Sequence, residues 1–290
     1  MSVYPTDSFE NELQRRIYEY VERNGAVTPA ELARAITVDG GRADSKPARS
    51  RAYTESVPPT QEELQSCLET LQAEGYLTDV DGKFRIALSA TTADLECDDG
   101  VVVIRPAREE DRAGVVETMR TVAEEETYVV AENVATEIDR ESALVRANEA
   151  RSRIVFVAIL EPEPEPDEEA DTESADERTE PSGTDGDVVG WLHIDAPAHP
   201  ALRHTAELTV GIDPQYRRQG IGSSLLEYGL EWASDAGYQK LYQNVPATND
   251  DALTFLDAHG WQRDGEHEGQ YCLDGELVDE IMLATWPDTE

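Results

Sequence analysis

Glu207-Leu-Thr-Val-Gly-Ile-Asp-Pro-Gln-Tyr-Arg-Arg-Gln-Gly-Ile-Gly-Ser-Ser-Leu-Leu226 decides the fold of this chain. Residues 207–212 alternate and are rich enough in β-formers for a strand, and Asp213-Pro214 stops it. Arg217 to Gly222 then open a helix, predicted over 219–236, with Leu225, Leu226 and Leu230 on one face. A strand therefore feeds a helix through a glycine-bearing turn. Gly220 and Gly222 let backbone N–H groups come close to a ligand, and those groups, with the positive end of the helix dipole, suit a phosphate or pyrophosphate. Arg217 and Arg218 add positive charge. Two familiar nucleotide loops do not fit. A dinucleotide fingerprint needs a third small residue where Leu225 stands and an acid about 20 residues on, at the end of the next strand; that strand, Lys240 to Val245, carries Gln243-Asn244 there. A Walker loop needs a Lys-Ser/Thr pair after the glycines, and none follows.

The order Ile212-Asp-Pro-x-x-Arg217-Arg218-Gln219-Gly220-x-Gly222 resembles the pyrophosphate-binding motif A of the GNAT superfamily of acetyl-CoA-dependent N-acetyltransferases. Further on, Asn249-x-x-Ala252-x-x-Phe255-x-x-x-x-Gly260-Trp261 resembles its motif B, at the expected distance and after a strand. The resemblance covers roughly residues 101–286, from the opening Ile104-Arg-Pro-Ala-Arg-Glu-Glu-Asp111. It implies an α/β (α+β) fold, with a mixed central sheet, flanking helices and acetyl-CoA as co-substrate. Two neighbouring strands, here 205–212 and 240–245, would splay apart to admit the pantetheine arm, bonded by the edge groups of Val210, Gly211 and Ile212. Arg217, Arg218, Gln219, Gly220, Ile221, Gly222 and Ser223 would hold the pyrophosphate, with Asn249 completing the site.

Composition limits the partners. The 290 residues include 62 acids against 24 Lys and Arg, for a net charge of −38, and the only lysines are Lys46, Lys83 and Lys240. Residues 161–187 hold thirteen acids and one base, which leaves −26 for the rest, so the acidity is global. It resembles a salt-adapted, haloarchaeal-type protein, whose self-repulsion salt screens. Lowering the salt toward about 0.1 M, where the Debye length is about 10 Å, is expected to destabilise the fold; a thermal midpoint that does not move with salt would contradict this. Cys67, Cys97 and Cys272 are odd in number and share no metal-ligand spacing, and the five histidines form no H-x-H or H-E-x-x-H cluster. A reduced cytoplasm and no metal are the expectation. No apolar run approaches the ~20 residues of a membrane span, and no signal peptide is legible.

Along the chain, residues 8–24 place Phe9, Leu13, Ile17, Tyr20 and Val21 on one helical face. Capping boxes at Thr28-Pro29-Ala30-Glu31 and Thr60-Gln-Glu-Glu63 start two more helices, and Asp81-Gly82 is a type I′ hairpin signal between 76–80 and 83–88. Three helices plus a hairpin resemble a winged helix over residues 1–90. Its third helix carries Glu62, Glu63, Glu69 and Glu74 and no base, whereas phosphate binding needs Lys or Arg. The one basic cluster, Arg42, Lys46, Arg49 and Arg51, lies in a turn-rich insertion, so a regulatory or partner-binding module is preferred to DNA binding. Residues 91–100 read as a linker before a transferase domain over 101–287, with helices at 109–126 and roughly 135–150. Ile154 to Leu160 suits a buried central strand. The acidic stretch 161–187 lacks apolar side chains to offset ordering entropy, and reads as a disordered, enlarged hairpin loop before a strand at 188–194. The final strands are placed at about 261–266 and 277–284.

In the family the amine attacks the thioester directly, which agrees with the absence of a G-x-S-x-G elbow. The proton carriers depart from the family pattern. The tyrosine that commonly follows the motif B phenylalanine is Leu256 here, and the strand glutamate of alanine-acetylating members is Asn244. Glu207 is left as the base, acting directly or through water, and Tyr271 as a substitute acid for the thiolate. Tyr128, in the connection at 127–133, is expected to line the acceptor pocket. The expected reaction is acetylation of a primary amine on a small molecule or peptide. Alternatives are a non-catalytic acyl-CoA sensor and a DNA-binding regulator carrying a GNAT domain. The oligomeric state stays open, with a homodimer among the options.

Overall fold

The computed structural model describes residues 9, 11–39, 56–88, 90–124, 129–148, 151–161, 186–197 and 199–287. The chain divides into two compact units, Pro5–Leu88 and Ser89–Glu290.

In the first unit, helices α1 (Glu12–Asn24), α2 (Pro29–Ala35) and α3 (Gln61–Ala73) each begin at a capping box, formed by Asn11 with Gln14, Thr28 with Glu31 and Thr60 with Glu63. These side chains satisfy N–H groups that have no partner inside the helix. Ile17, Tyr18, Val21, Leu32, Leu64, Leu68 and Leu71 form the core. Tyr18 rather than Tyr20 turns inward, its ring 5.3 Å from that of Phe9. Strands β1 (Val38–Asp39) and β2 (Ser56–Val57) make a short pair, and β3 (Leu77–Val80) and β4 (Lys83–Ile86) a hairpin. Asp81 and Gly82 both have positive φ, 55° and 75°, as a type I′ turn requires. The cluster Arg42, Lys46, Arg49 and Arg51 lies outside the described residues.

The second unit runs β5 (Ala93–Cys97), β6 (Gly100–Pro106), α4 (Arg112–Ala123), α5 (Val129–Arg140), β7 (Arg146–Ala147), β8 (Arg151–Leu160), β9 (Asp187–Pro197) and β10 (Thr205–Ile212). It continues with α6 (Ile221–Asp235), β11 (Lys240–Pro246), α7 (Asp250–Ala258), β12 (Gln262–Leu273) and β13 (Glu276–Thr285). The sheet order is β12-β13-β11-β10-β9-β8-β6-β5, with β7 added against β8. All pairs are antiparallel except β10 with β11.

Three expectations are corrected. The stretch 91–100 is not a linker, because Ala93–Cys97 pairs with β6 as the edge strand and the Asp98-Asp99 turn makes the hairpin. The second helix is α5, ending at Arg140, and the chain then extends into β7 instead of staying helical to residue 150. Strands β12 and β13 are a longer hairpin than expected, carried past bulges at Arg263/Gly265 and His267/Tyr271. Leu160 pairs with Asp187, so the acidic insertion connects two neighbouring strands; residues 162–185 lie outside the described residues.

Helices α4 and α5 cover one face of the sheet, where Val115, Met119, Ala135 and Ile138 pack on Val155, Val157 and Trp191. Helix α6 covers the other, with Trp232 and Tyr228 edge-on to Phe156 at 5.4 and 5.2 Å. Gly229 gives the closest approach there: a Cβ would stand 2.6 Å from Leu192 Cδ1. Alanine favours a helix over glycine by about 1 kcal/mol, whereas forcing carbon into a filled core costs about 1–3 kcal/mol. Leu192 is fully buried and cannot swing away. Gly229→Ala is therefore expected to lower stability, and a raised denaturation midpoint at fixed salt would refute this packing.

Candidate functional site

Only three residue pairs join β10 to β11: Thr205 with Lys240, Ala206 with Leu241 and Glu207 with Tyr242. Beyond Glu207 each strand keeps its outer neighbour, β9 or β13, while the two diverge. The opening leads into a cavity of about 610 Å³. Val210, Gly211 and Ile212 of β10 line it on one side and Asn249, Phe255 and Leu256 at α7 on another.

The turn between β10 and α6 forms one end of the cavity. Asp213 accepts from Gln215 N at 2.9 Å, and Arg217 Nε donates to the Ile212 carbonyl at 3.1 Å. Arg218 and Gly220 both have left-handed backbone, with φ of 66° and 87°, and α6 starts at Ile221. Left-handed residues in such a turn make concavities of N–H groups that accept anions, and the helix N-terminus adds its dipole. A Cβ on Gly220 would meet nothing within 4 Å, which leaves an open cradle, and Gly222 and Ser223 also line it. Arg218 pairs with Asp251 of α7 at 2.9 Å, both side chains being more than 80% exposed. So exposed a pair contributes little and can open for an anion.

Of the residues expected to bind the cofactor, Val210, Gly211, Ile212, Arg217, Arg218, Gly220, Gly222, Ser223 and Asn249 line this cavity. The side chains of Gln219 and Ile221 do not. Ile221 is buried under the sheet, and Gln219 bonds Asp98 N at 3.2 Å and Asp99 Oδ2 at 2.7 Å. With Tyr228 Oη donating to the Thr91 carbonyl at 2.5 Å, this ties residues 91–99 to the start of α6. Asn249 caps α7, its Oδ1 accepting from Ala252 N at 3.0 Å. Gln243, buried in β11, also lines the cavity and was missed; with Lys240, Tyr242 and Asn244 in the same strand, nothing in the sequence set it apart.

Glu207 stands at the vertex of the opening. Register puts it on the same face as Asp195, His193 and Trp191 of β9, the face that α4 and α5 cover. Burial, then the nearby carboxylates of Asp195 and Glu280, push its carboxyl above the usual range. Asp195 is itself held by Arg151, at 2.7 and 3.0 Å. His193 is buried, with Nδ1 3.4 Å from Thr209 Oγ1; burial and the charges of Arg153 and Arg151 take it down to about 3, so it is neutral and structural.

Tyr271, expected as the acid for the thiolate, has its hydroxyl engaged by a carboxylate. Its hydroxyl donates to Glu280 Oε1 at 2.6 Å, and burial together with that carboxylate holds the phenol well above its usual range. Glu280 Oε2 lies 2.9 Å from His267 Nδ1. Neither Glu280 nor His267 stood out in the sequence, because the contact depends on the register and bulges of the β12–β13 hairpin. Leu256 is buried against the cavity, and Asn244 pairs with Met282. Tyr128 lies outside the described residues. Among those residues no group of His, Cys, Asp and Glu could hold a metal, and no helix is long and apolar enough to cross a membrane.

Comparison with known proteins adds to this geometry. YwnH of Bacillus subtilis (strain 168), provisionally named a phosphinothricin acetyltransferase, is 30% identical over 100 residues, 34% of this chain and 61% of its own. The L-amino acid N-acetyltransferase AaaT of Escherichia coli (strain K12) is 27% identical over 101 residues, 34% of this chain and 62% of its own. The chain thus spans less than two thirds of these relatives. An acetyltransferase of the GNAT family from Streptococcus pneumoniae aligns with a TM-score of 0.47 at 20% identity, over 64% of this chain and 99% of its own. Residues 151–261, which run from β8 to α7, match the model of the acetyltransferase (GNAT) family, and this part of the chain is similar to it.

Proposed function

We propose that the second unit transfers an acetyl group from acetyl-CoA to a primary amine by direct attack. The observation that carries this is one cavity that joins an anion cradle to the opening between β10 and β11, with the half-buried Glu207, itself not among the cavity-lining residues, where the two strands part. The turn 217–223 holds the pyrophosphate with its N–H groups and with Arg217 and Arg218, and the strand edge at Val210 to Ile212 bonds the pantetheine arm. Bound acetyl-CoA supplies the acyl group as a thioester. Glu207 takes a proton from the nitrogen after attack and returns it to the departing sulfur. A carboxyl held above its usual range both accepts and gives up a proton readily, so no separate tyrosine acid at position 256 is needed.

The names of the two relatives make amino acids and phosphinothricin the first acceptors to test. Turnover with L-amino acids, phosphinothricin, aliphatic diamines and a peptide N-terminus, followed as free CoA thiol at high salt, checks the reading. Tight CoA binding with no amine acetylated would favour the acyl-CoA sensor, to which Leu256 and Asn244 point. For the first unit we infer a winged-helix-like module that binds a partner other than DNA, because Glu62, Glu63, Glu69 and Glu74 of the α3 region are exposed and would repel phosphate. Sequence-dependent DNA binding by the full chain at physiological salt would refute this.

A further inference from the structure

An anion cradle binds tightly when its N–H groups already point at the ligand, because aligning them during binding costs affinity. The turn 217–220 needs help to stay aligned. Arg218 takes left-handed backbone at φ 66°, a sparsely populated region for a residue with a Cβ, and Gly220, at 87°, belongs to the most permissive residue type. Such a conformation persists where its surroundings hold it. On the strand side Arg217 Nε holds the turn through the Ile212 carbonyl at 3.1 Å. Gln219, between the two left-handed residues, does not line the cavity and reaches the β5–β6 hairpin instead.

We propose that the β5–β6 hairpin braces the cofactor cradle, with Gln219 as the positioning residue that joins the two. The inference rests on the reading of the turn as the seat of the pyrophosphate. One carboxamide uses both of its functions here: Oε1 accepts from Asp98 N at 3.2 Å, and Nε2 donates to Asp99 Oδ2 at 2.7 Å. Asp98 and Asp99 form the hairpin turn between the paired Cys97 and Gly100, so both bonds reach the same tip. Cys97 Sγ lies 4.0 Å from the Gln219 carbonyl. Further along α6, Tyr228 Oη donates to the Thr91 carbonyl at 2.5 Å, which fixes β5 to the helix at a second place.

The residue type fits the task. A lysine at 219 would donate to Asp99 but leave the Asp98 N–H without its acceptor, and a glutamate would accept from Asp98 N while facing the Asp99 carboxylate. Glutamine serves both partners at once. A brace also has a consequence that a contact merely adding stability to the hairpin lacks: if the closed brace favours CoA, bound CoA must favour the closed brace by the same factor. The Asp98 N–H reports this, because it donates to Gln219 Oε1 and exchanges with water when that bond opens.

The test titrates the full chain with CoA at high salt. Gln219→Ala removes both bonds, each of modest net worth at an exposed position, and is expected to raise the Kd by about 3- to 10-fold. With whichever amine of the panel is acetylated fastest, KM for acetyl-CoA should rise while kcat and KM for the amine stay as they are. Asp99→Asn keeps an acceptor for Gln219 Nε2 and Asp99→Ala does not, although both remove the charge. The alanine variant should therefore bind CoA about 2- to 3-fold more weakly than the asparagine variant, and this gap should close when Gln219→Ala is added to each. In the wild type, saturating CoA should slow hydrogen exchange at the Asp98 amide; in Gln219→Ala that amide should exchange at one rate with and without CoA. Wild-type Kd in Gln219→Ala, or Asp98 exchange unmoved by bound CoA in the wild type, would overturn the brace and leave the cradle standing. Should Gln219→Ala fail to fold, the exchange measurement on the wild type decides alone. A wild type that does not bind CoA would remove both the brace and the cradle.

Discussion

Glu207→Gln is expected to lower turnover by about 10² to 10⁴, the range a positioned general base contributes, while CoA affinity stays as it is. The substitution keeps size and shape, and Glu207 lies at the vertex where β10 and β11 part, outside the turn 217–223 proposed to hold the anion. Its carboxyl is raised first by burial, then by Asp195 and Glu280. The base must be ionised to take a proton, so wild-type turnover should rise with pH through a value above that of an ordinary carboxylate. Stability gives the opposite sign. Between the unfolded value and the raised folded one, the folded protein keeps a proton that the unfolded chain has released, so stability falls as pH rises across that window. Glutamine removes this cost, and Glu207→Gln should be no less stable than wild type at neutral pH. Turnover equal to wild type between about pH 6 and 9 would show that the group is structural.

The parts of the fold legible in the sequence were those set by local chemistry. Capping boxes gave the starts of α2 and α3, and Asp81-Gly82 gave the β3–β4 turn, because each depends on residues within four positions. The β10–turn–α6 stretch was legible for the same reason, since its strand, glycine turn and helix are contiguous. Long-range pairing was not. Residues 93–97 look like a polar linker, yet Leu95 lies opposite Val102 of β6 and the strand closes the sheet edge. The opening Ile104 to Asp111 was read as a motif without a cause. The structure supplies one: Arg105 holds Asp111 through bonds of 2.7 and 2.9 Å, and Asp111 also accepts from Arg108 N at 2.6 Å, fixing the entry to α4.

The candidate site divides along the same line. The turn residues are close in sequence and, apart from the side chains of Gln219 and Ile221, line the cavity. Glu280 and His267 are thirteen positions apart and meet across a bulged hairpin. No periodicity marks such a pair. In a chain with 62 acids, one more glutamate carries no signal until its burial is known.

Gly220→Trp is expected to raise the Kd for CoA by about 10² to 10⁴. Losing two charge-assisted hydrogen bonds to the pyrophosphate, at about 1.5–3 kcal/mol each, corresponds to that range at about 1.4 kcal/mol per tenfold. Gly220 lies at the mouth of the turn with φ of 87°, and a Cβ there points into open space. An indole there would compete with the pyrophosphate for the cradle. The backbone strain of a non-glycine residue at that φ is of order 1–3 kcal/mol, so part of any lost affinity could come from a shifted turn. Gly220→Asn separates the two effects, because asparagine tolerates left-handed backbone. It should keep the turn and lose far less affinity than tryptophan. Ser224→Ala, one turn into α6 and not among the cavity-lining residues, should leave the Kd unchanged. Calorimetric titration with CoA at high salt reads all three. Wild-type affinity in Gly220→Trp would mean that the cradle does not hold the pyrophosphate, and the cofactor assignment would fall with it.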